Sequence, residues 1–301
     1  MNSSRRNRWA FSFLALTAMF AGLGWWFWPW SVDKFLGEDD FNGHAVPPGG
    51  PVPAGGLQAT YTGVMMFTNV DKGLVSQLLP GGFELAPRKT SKLLNKHPVV
   101  LLFGDQTDGA FVLSATTSQP TGIHYSESIF AIPFVQKRDA SGGWHTYIVR
   151  MYLDNAAAVA GGIPYGYQKE LRSIEWKGRY ARIWSSLGSD VLEGNFAWGS
   201  QWYSGSMALQ KIPNFRDMVN IMTTEILGHN GIIAICSHWE WNLDFARVAK
   251  AKTGYDMLQA FRGDMGAWPG LSPFESARNS AVVVRGIRWR LNSIPHLSCS
   301  F

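Results

Sequence analysis

The sequence predicts an α+β fold, with an antiparallel β-sheet or β-barrel core, flanking helices and one N-terminal transmembrane helix. Two observations predict it. A charge-free apolar run occupies residues 9–30. From residue 61 onwards, short apolar segments of strand-like alternation outnumber segments of helical period.

The run at residues 9–30 is long enough to cross a membrane, since at about 1.5 Å per residue it spans about 33 Å. Three arginines precede it and four acidic residues follow it, so residues 1–8 are predicted in the cytoplasm and the domain on the extracytoplasmic side, in a periplasm. A cleaved secretory signal is the alternative, but bulky tryptophans end the run and favour an uncleaved anchor. The arginines are Arg5, Arg6 and Arg8, and the acidic residues are Asp33, Glu38, Asp39 and Asp40.

A Pro/Gly-rich linker at residues 31–57 is predicted to separate the anchor from a single domain at residues 58–301. The net charge of +5 falls on that domain, but no nucleic-acid motif accompanies it, so nucleic acid is not an expected partner. The two cysteines, Cys236 and Cys299, exclude a disulfide framework. They form either one pair in an oxidising compartment or two buried thiols.

The elements of the domain follow from its apolar periodicity. Helices are expected at 71–79 (capped by Asn69 or Asp71), 215–227 (stopped by Gly228) and 243–261. Strands are expected at 61–67, 98–104, 110–116, 123–135, 144–153 and 281–291, with a hairpin at 171–176 and 179–184 and further short strands within 191–209.

Several chemistries are excluded because their motifs are missing. The sequence has no Gly-x-Ser-x-Gly elbow, no P-loop, no dinucleotide-binding glycine fingerprint after a strand and no His-Glu-x-x-His. No cofactor and no metal are therefore predicted. His238, two residues after Cys236, is interpreted as a packed core residue, and His229 as a helix-terminus residue.

Two segments carry the chemistry that remains. Residues 151–172 read MYLDNAAAVAGGIPYGYQKELR, and Tyr125-Ser126-Glu127 lies on a predicted strand upstream. With the segment Val64–Leu85, they resemble the acetoacetate decarboxylase family over about Thr62 to Leu171. That family has a Tyr-x-Glu strand, then a strand with an acidic end, then a Gly-aromatic-Pro-Lys-Lys turn.

The resemblance implies a Schiff-base lysine enzyme, a decarboxylase or lyase that acts on a carbonyl or keto-acid substrate. It implies Lys169 as the imine-forming nucleophile and Glu127 as its acidic partner. It also implies a possible homo-oligomer. The substrate-binding candidates are Tyr125, Tyr165, Tyr167 and Phe67.

Four departures from the family pattern leave an alternative open. Glu170 replaces the second lysine, Gln168 replaces the proline, and Phe67 replaces the substrate-binding arginine. Gly161-Gly162-Ile163 stands where the family has Gly-Arg-Glu. A substrate without a carboxylate suits such a site better. The alternative is a non-catalytic, membrane-tethered protein that binds an apolar small molecule in the barrel cavity. Glu127 is also open to a structural ion pair with Arg150 or Arg172.

Overall fold

The computed structural model describes residues 56–87, 95–114, 117–138, 143–177, 180–184, 190–229, 234–254 and 280–291. None of the helices within these ranges has the length and apolar character needed to span a bilayer. The run at 9–30 lies outside the described residues, so the anchor, the linker and their bounds remain predictions.

Strands dominate the described residues, and four short α-helices and one 3-10 helix connect them. The strands are β1 (Leu57–Asp71), β2 (Phe83–Leu85), β3 (Lys96–Val112), β4 (Ser118–Pro120), β5 (Tyr125–Lys137), β6 (His145–Leu153), β7 (Lys169–Leu171), β8 (Ser173–Lys177), β9 (Tyr180–Trp184), β10 (Asp190–Trp198), β11 (Tyr203–Ser204), β12 (Ile226–His229), β13 (Ala234–Ser237), β14 (Trp239–Asn242), β15 (Arg247–Gly254) and β16 (Ser280–Leu291). The helices are α1 (Lys72–Ser76), α2 (Ala156–Ala160), the 3-10 helix (Ile163–Tyr165), α3 (Gly205–Lys211) and α4 (Pro213–Met222).

All of these strands belong to one sheet, whose main path runs β13-β12-β6-β5-β3-β1-β16-β15-β10-β9-β8. The sheet is mixed, because β7 and β12 both run parallel to β6. Each reaches β6 after helical segments, the kind of crossover that a parallel neighbour requires. The expectation of a purely antiparallel core is therefore corrected at this edge of the sheet.

Two apolar layers cover the two faces of the sheet. The face that carries Met65, Ile129 and Met151, called the inner face here, packs against α3 and α4. Phe215, Met218, Ile221 and Met222 supply the buried side of α4. On the opposite, outer face Phe103 stacks on Trp176 of β8, with ring centroids 5.7 Å apart.

The predicted strands near the centre of the sheet are confirmed, while some bounds change. Residues 98–104 and 110–112 belong to one long strand, β3, instead of two. Helix α1 is shorter than predicted, and the Asp71 carboxylate caps it by accepting a hydrogen bond from the Gly73 amide at 2.9 Å. The hairpin of β8 and β9 is confirmed.

The helix predicted at 215–227 ends early, at Met222. Thr223 and Thr224 stop it, because their hydroxyls donate to the carbonyls of Val219 (2.8 Å) and Asn220 (2.7 Å). The chain then enters β12, which pairs with β6. His229 consequently ends a strand, and its interpretation as a helix-terminus residue is wrong.

The helix predicted at 243–261 is also wrong over its described part, where residues Arg247–Gly254 form β15. This strand lies between β10 and β16, and its buried alanines, Ala249 and Ala251, fit close against neighbouring strands. Alanine favours a helix in isolation, but sheet pairing on both sides overrides that preference. The helix α3, which begins inside the region 191–209 and ends at Lys211, was not predicted.

Candidate active site

Lys169 and Glu127 lie on the same face of the sheet. Lys169 begins β7 and is paired with Met151 on β6, which is paired with Ile129 on β5. Ile129 is two residues from Glu127, and alternate residues of a strand share a face. The register therefore directs both side chains to the inner face, from strands two positions apart.

The segment between β6 and β7 holds the lysine side chain. Asn155 caps α2 by accepting hydrogen bonds from the amides of Ala157 (2.9 Å) and Ala158 (3.2 Å). This places the Ala158 carbonyl where Lys169 Nζ donates to it at 3.0 Å. Gly162 lies directly against the lysine: a Cβ there would overlap Cδ and Cε and lie 2.8 Å from Nζ.

Burial lowers the pKa of Lys169 to about 8, against an ordinary value of 10.5. The negative charge of Glu127 opposes this change, since it favours the ammonium form. The amine is thus shifted towards the neutral, nucleophilic form near neutral pH.

Glu127 is almost completely buried, with 1% of its surface exposed. The Gln106 side-chain amide donates to Glu127 Oε1 at 2.5 Å. Burial raises the pKa of Glu127 to about 7, while the Gln106 hydrogen bond and the Lys169 charge lower it. No ion pair within 4.0 Å joins Glu127 to Lys169 directly, although both are described.

Glu170 points away from the lysine, towards the outer face. It is paired across strands with Tyr152, and its carboxylate accepts hydrogen bonds from Arg150 (2.9 Å) and from Arg172. The replacement of the family's second lysine therefore puts no carboxylate beside Lys169. The ion pair that the sequence left open for Glu127 with Arg150 or Arg172 is formed by Glu170 instead.

Two of the predicted substrate-binding tyrosines come from the turn before β7. Tyr165 and Tyr167 are buried and stacked, with ring centroids 5.9 Å apart. Gly166 between them has a left-handed φ of 68°, which glycine adopts without strain. The Tyr167 hydroxyl lies 2.5 Å from Ser237 Oγ and accepts a hydrogen bond from the Trp239 indole at 3.0 Å.

The other two substrate-binding candidates lie at different distances from the acid. Tyr125 is on β5, two residues from Glu127 and on the same face, and burial raises its pKa well above the ordinary value. Phe67 is buried on β1, paired with Val100, which is paired with Ala131. Ala131 is four residues from Glu127, so Phe67 lies about 13 Å from the acid along the strand direction and two strands, about 10 Å, across the sheet.

Sequence reasoning missed Gln106, Trp289 and Gly162. Gln106 bridges Glu127 to Trp289, whose indole donates to Gln106 Oε1 at 2.6 Å. No motif marks these residues. The one available signal was Gly161-Gly162, which differs from the family pattern at a position that contacts the lysine.

One further group of potential metal ligands is present among the described residues. His145, Glu225 and Cys236 are buried, with ligand atoms within 4.8 Å of one another. Cys236, however, is disulfide-bonded, and a disulfide sulfur is not a thiolate ligand. The chain's other cysteine, Cys299, lies outside the described residues.

Comparison with known proteins establishes the fold. No protein-family model matches the chain, and no curated protein matches it. A structure of MppR, an enduracididine biosynthesis enzyme complexed with pyruvate, matches with a TM-score of 0.51 and 13% identity, over 82% of this chain and 91% of MppR. MppR complexed with the condensation product of pyruvate and imidazole 4-carboxaldehyde matches with a TM-score of 0.50 and 12% identity, over 82% and 90%.

An acetoacetate decarboxylase from Legionella pneumophila matches with a TM-score of 0.49 and 13% identity, over 87% of this chain and 94% of that enzyme. At such identities the likenesses show the fold alone. The acetoacetate-decarboxylase-like fold predicted from the sequence is confirmed at that level.

Replacing Gly162 by alanine is expected to displace the Lys169 side chain, because the new Cβ would overlap Cδ and Cε. The rate at which a small acylating reagent modifies Lys169, followed by peptide mass spectrometry against pH, measures the effect. We expect at least a several-fold change. Gly161→Ala is the matched control, since a Cβ there lies 3.4 Å from its nearest neighbour, at ordinary contact distance. Equal rates of Lys169 acylation in the two variants would contradict the close contact between Gly162 and the lysine side chain.

The raised pKa of Glu127 predicts a pH dependence of stability. Between pH 4.5, where the unfolded carboxyl ionises, and about pH 7, the folded protein holds a proton that the unfolded chain has lost. The free energy of unfolding should therefore fall as pH rises through this window, by up to about 3 kcal/mol. The lowered pKa of Lys169 has the opposite effect at higher pH, because stability should rise as pH rises from about 8 to 10.5.

Urea unfolding of the wild type and of Glu127→Gln across pH 4–8 tests this dependence. The variant cannot ionise at position 127, so its stability relative to the wild type should rise over the same window. A constant difference between the two proteins from pH 4 to pH 8 would show that Glu127 titrates normally.

Proposed function

We propose that this protein is a Schiff-base lysine enzyme that acts on a carbonyl compound, with Lys169 as nucleophile and Glu127 as proton donor and acceptor. The observation that carries the proposal is the pair itself, a half-buried lysine and a buried glutamic acid on the same face of the sheet. A lysine with a pKa of about 8 and a glutamic acid with a pKa of about 7 share one apolar face. Perturbed pairs of this kind are typical of acid–base and nucleophilic sites.

The lowered pKa supplies the nucleophile. With a pKa of about 8, about one lysine in ten is neutral at pH 7, compared with about one in 2,500 at the unperturbed value. The amine lone pair of Lys169 attacks the carbonyl carbon and forms a carbinolamine. Protonated Glu127 donates its proton to the hydroxyl, which leaves as water, and the iminium ion remains.

The iminium ion then withdraws electrons from the neighbouring bond. When a carbon–carbon bond to the α-carbon breaks, as in the cleavage of a neutral β-hydroxy ketone, its electron pair forms an enamine. The β-carbon then leaves as a carbonyl compound, and its hydroxyl proton passes to the Glu127 carboxylate. A proton returned to the enamine carbon restores the iminium ion, and water hydrolyses it to release the product and Lys169. Glu127 is suited to move this proton because its pKa lies near neutral pH.

The surroundings favour a substrate without a carboxylate. Among the described residues, Lys169 is the cation whose charge lowers the pKa of Glu127, and no arginine is involved. Arg150 and Arg172 are held by Glu170 on the outer face. A substrate carboxylate would therefore lie in an apolar site with no described guanidinium to neutralise it. We propose a neutral ketone or aldehyde.

Borohydride trapping tests the proposal on the full chain. The protein is incubated with a panel of neutral ketones, aldehydes and keto acids that includes pyruvate, with which MppR was complexed. Reduction converts an imine into a stable secondary amine. We expect a ligand-dependent mass increase on the peptide that contains Lys169, largest with neutral carbonyls, and none in Lys169→Ala.

Lys211→Ala is the matched control, because Lys211 is exposed at the end of α3. It should leave trapping at Lys169 unchanged, while Glu127→Gln should slow imine formation at least tenfold. Absence of any adduct in the folded protein would reject the enzyme and favour the alternative, a protein that binds an apolar ligand without catalysis.

We also propose that the domain is extracytoplasmic and tethered by residues 9–30. The disulfide at Cys236 supports this, since disulfides persist mainly in oxidising compartments. In a Gram-negative host, protease added to spheroplasts should digest the domain, and alkylation before reduction should label neither cysteine. A protected domain with two reactive thiols would place it in the cytoplasm instead.

A further inference from the structure

A buried hydrogen-bond chain leads from Trp289 on β16 to Glu127 on β5. The Trp289 indole donates to Gln106 Oε1 at 2.6 Å, and Gln106 Nε2 donates to Glu127 Oε1 at 2.5 Å. All three side chains are buried, with 8% of Trp289, 3% of Gln106 and 1% of Glu127 exposed. These hydrogen bonds therefore lie in a low-dielectric interior, where the direction of each donor has a large effect on the protonation of Glu127.

The direction of this chain is fixed by chemistry. An indole nitrogen is a donor only, so it must meet the oxygen of the Gln106 amide. The amide nitrogen is then left to face Glu127, and it is also a donor only. Without the indole, the amide could rotate by 180° and present its oxygen to the carboxyl group.

Trp289 is in turn held in place by its neighbours. Its ring stacks on Trp239, with centroids 5.5 Å apart and planes 20° from parallel. Trp239 donates to the hydroxyl of Tyr167, which belongs to the turn that leads into Lys169. The stacked indoles thus contact residues beside both candidate catalytic groups. Trp239 binds Tyr167, in the turn before Lys169, and Trp289 binds Gln106, which binds Glu127.

We infer that Trp289 and Gln106 are positioning residues, which hold Oε1 of Glu127 and leave Oε2 as the oxygen that exchanges a proton with the substrate. This inference rests on the proposed function for the role of Oε2. Within the described residues, Oε2 accepts no hydrogen bond, whereas Oε1 is fixed by Gln106. One oxygen orients the group and the other remains available for chemistry.

The hydrogen-bond chain from Trp289 to Glu127 also determines which protonation state of Glu127 is favoured. Four side chains face the carboxyl group: Lys169 from β7, Gln106 from β3, Tyr61 from β1 and Tyr125 from its own strand. Burial raises the pKa of Glu127, whereas the Gln106 N–H and the Lys169 charge lower it by favouring the carboxylate. A rotated amide would accept a hydrogen bond from the protonated carboxyl group of Glu127, favour the acid form and raise its pKa further.

The pKa of Glu127 can be measured directly, from the infrared carboxyl band that disappears in Glu127→Gln. Gln106→Met retains shape but removes the donor, and should raise this pKa by about one unit. Trp289→Phe keeps an aromatic side chain but removes the indole donor and frees the amide to rotate, so it should also raise the pKa of Glu127. The pH profile of imine formation should move upward with it, with kcat affected more than KM.

Trp241→Phe is the matched control. Trp241 is paired with Trp289 across β14 and β16, and its indole nitrogen makes no hydrogen bond in the described structure. Unchanged Glu127 pKa values in Trp289→Phe and Gln106→Met would overturn the inference. If Trp289→Phe does not fold, Gln106→Met alone decides. If the pKa shifts occur but no imine is trapped on Lys169, positioning of Glu127 stands and the proposed function fails.

Discussion

The rest of the site is organised around one constraint: a half-buried lysine and a fully buried glutamic acid are held on the same apolar face. Removing either charge from water costs several kcal/mol even after relaxation. A direct ion pair would recover part of that cost, but the structure does not form one between Lys169 and Glu127. Each is instead bound by a neutral partner, the Ala158 carbonyl for the lysine and the Gln106 amide for the carboxyl group. This arrangement holds both groups in place without joining them in an ion pair.

The alternation of side chains between the two faces of the sheet separates Lys169 from the neighbouring Glu170. Side chains alternate between faces along a strand, so the residue that follows Lys169 must point to the outer face. Glu170 therefore meets Arg150 and Arg172 there, at 25% and 16% side-chain exposure, and its charge is neutralised away from the amine. Two acidic residues only two strands apart thus acquire opposite environments. One is paired with arginines, and the other is kept near its protonated form by burial.

Local sequence patterns predict part of this structure, whereas contacts between residues far apart in the sequence determine the rest. Alternating apolar residues predicted β5, β6 and β16, and two short motifs predicted Lys169 and Glu127 through a family resemblance. Gln106 and Trp289 were not predictable, because their hydrogen bond joins positions 183 residues apart. The strand β15 was mistaken for a helix because its alanines, which pack between neighbouring strands, favour a helix when read locally. Pairing partners, which a single sequence does not specify, decide such segments.

The two shifted pKa values also have a joint consequence for proton transfer between the groups. In water, moving a proton from a lysine of pKa 10.5 to a carboxylate of pKa 4.5 costs about 8 kcal/mol. With values of about 8 and about 7, the same transfer costs only about 1 kcal/mol. The neutral amine and the neutral acid therefore become accessible together, although the pair titrates as a unit. A neutral amine is what carbonyl addition requires, and a neutral acid is what loss of water from the carbinolamine requires. Burial, which costs the fold stability, thus supplies both reactants of the proposed chemistry at once.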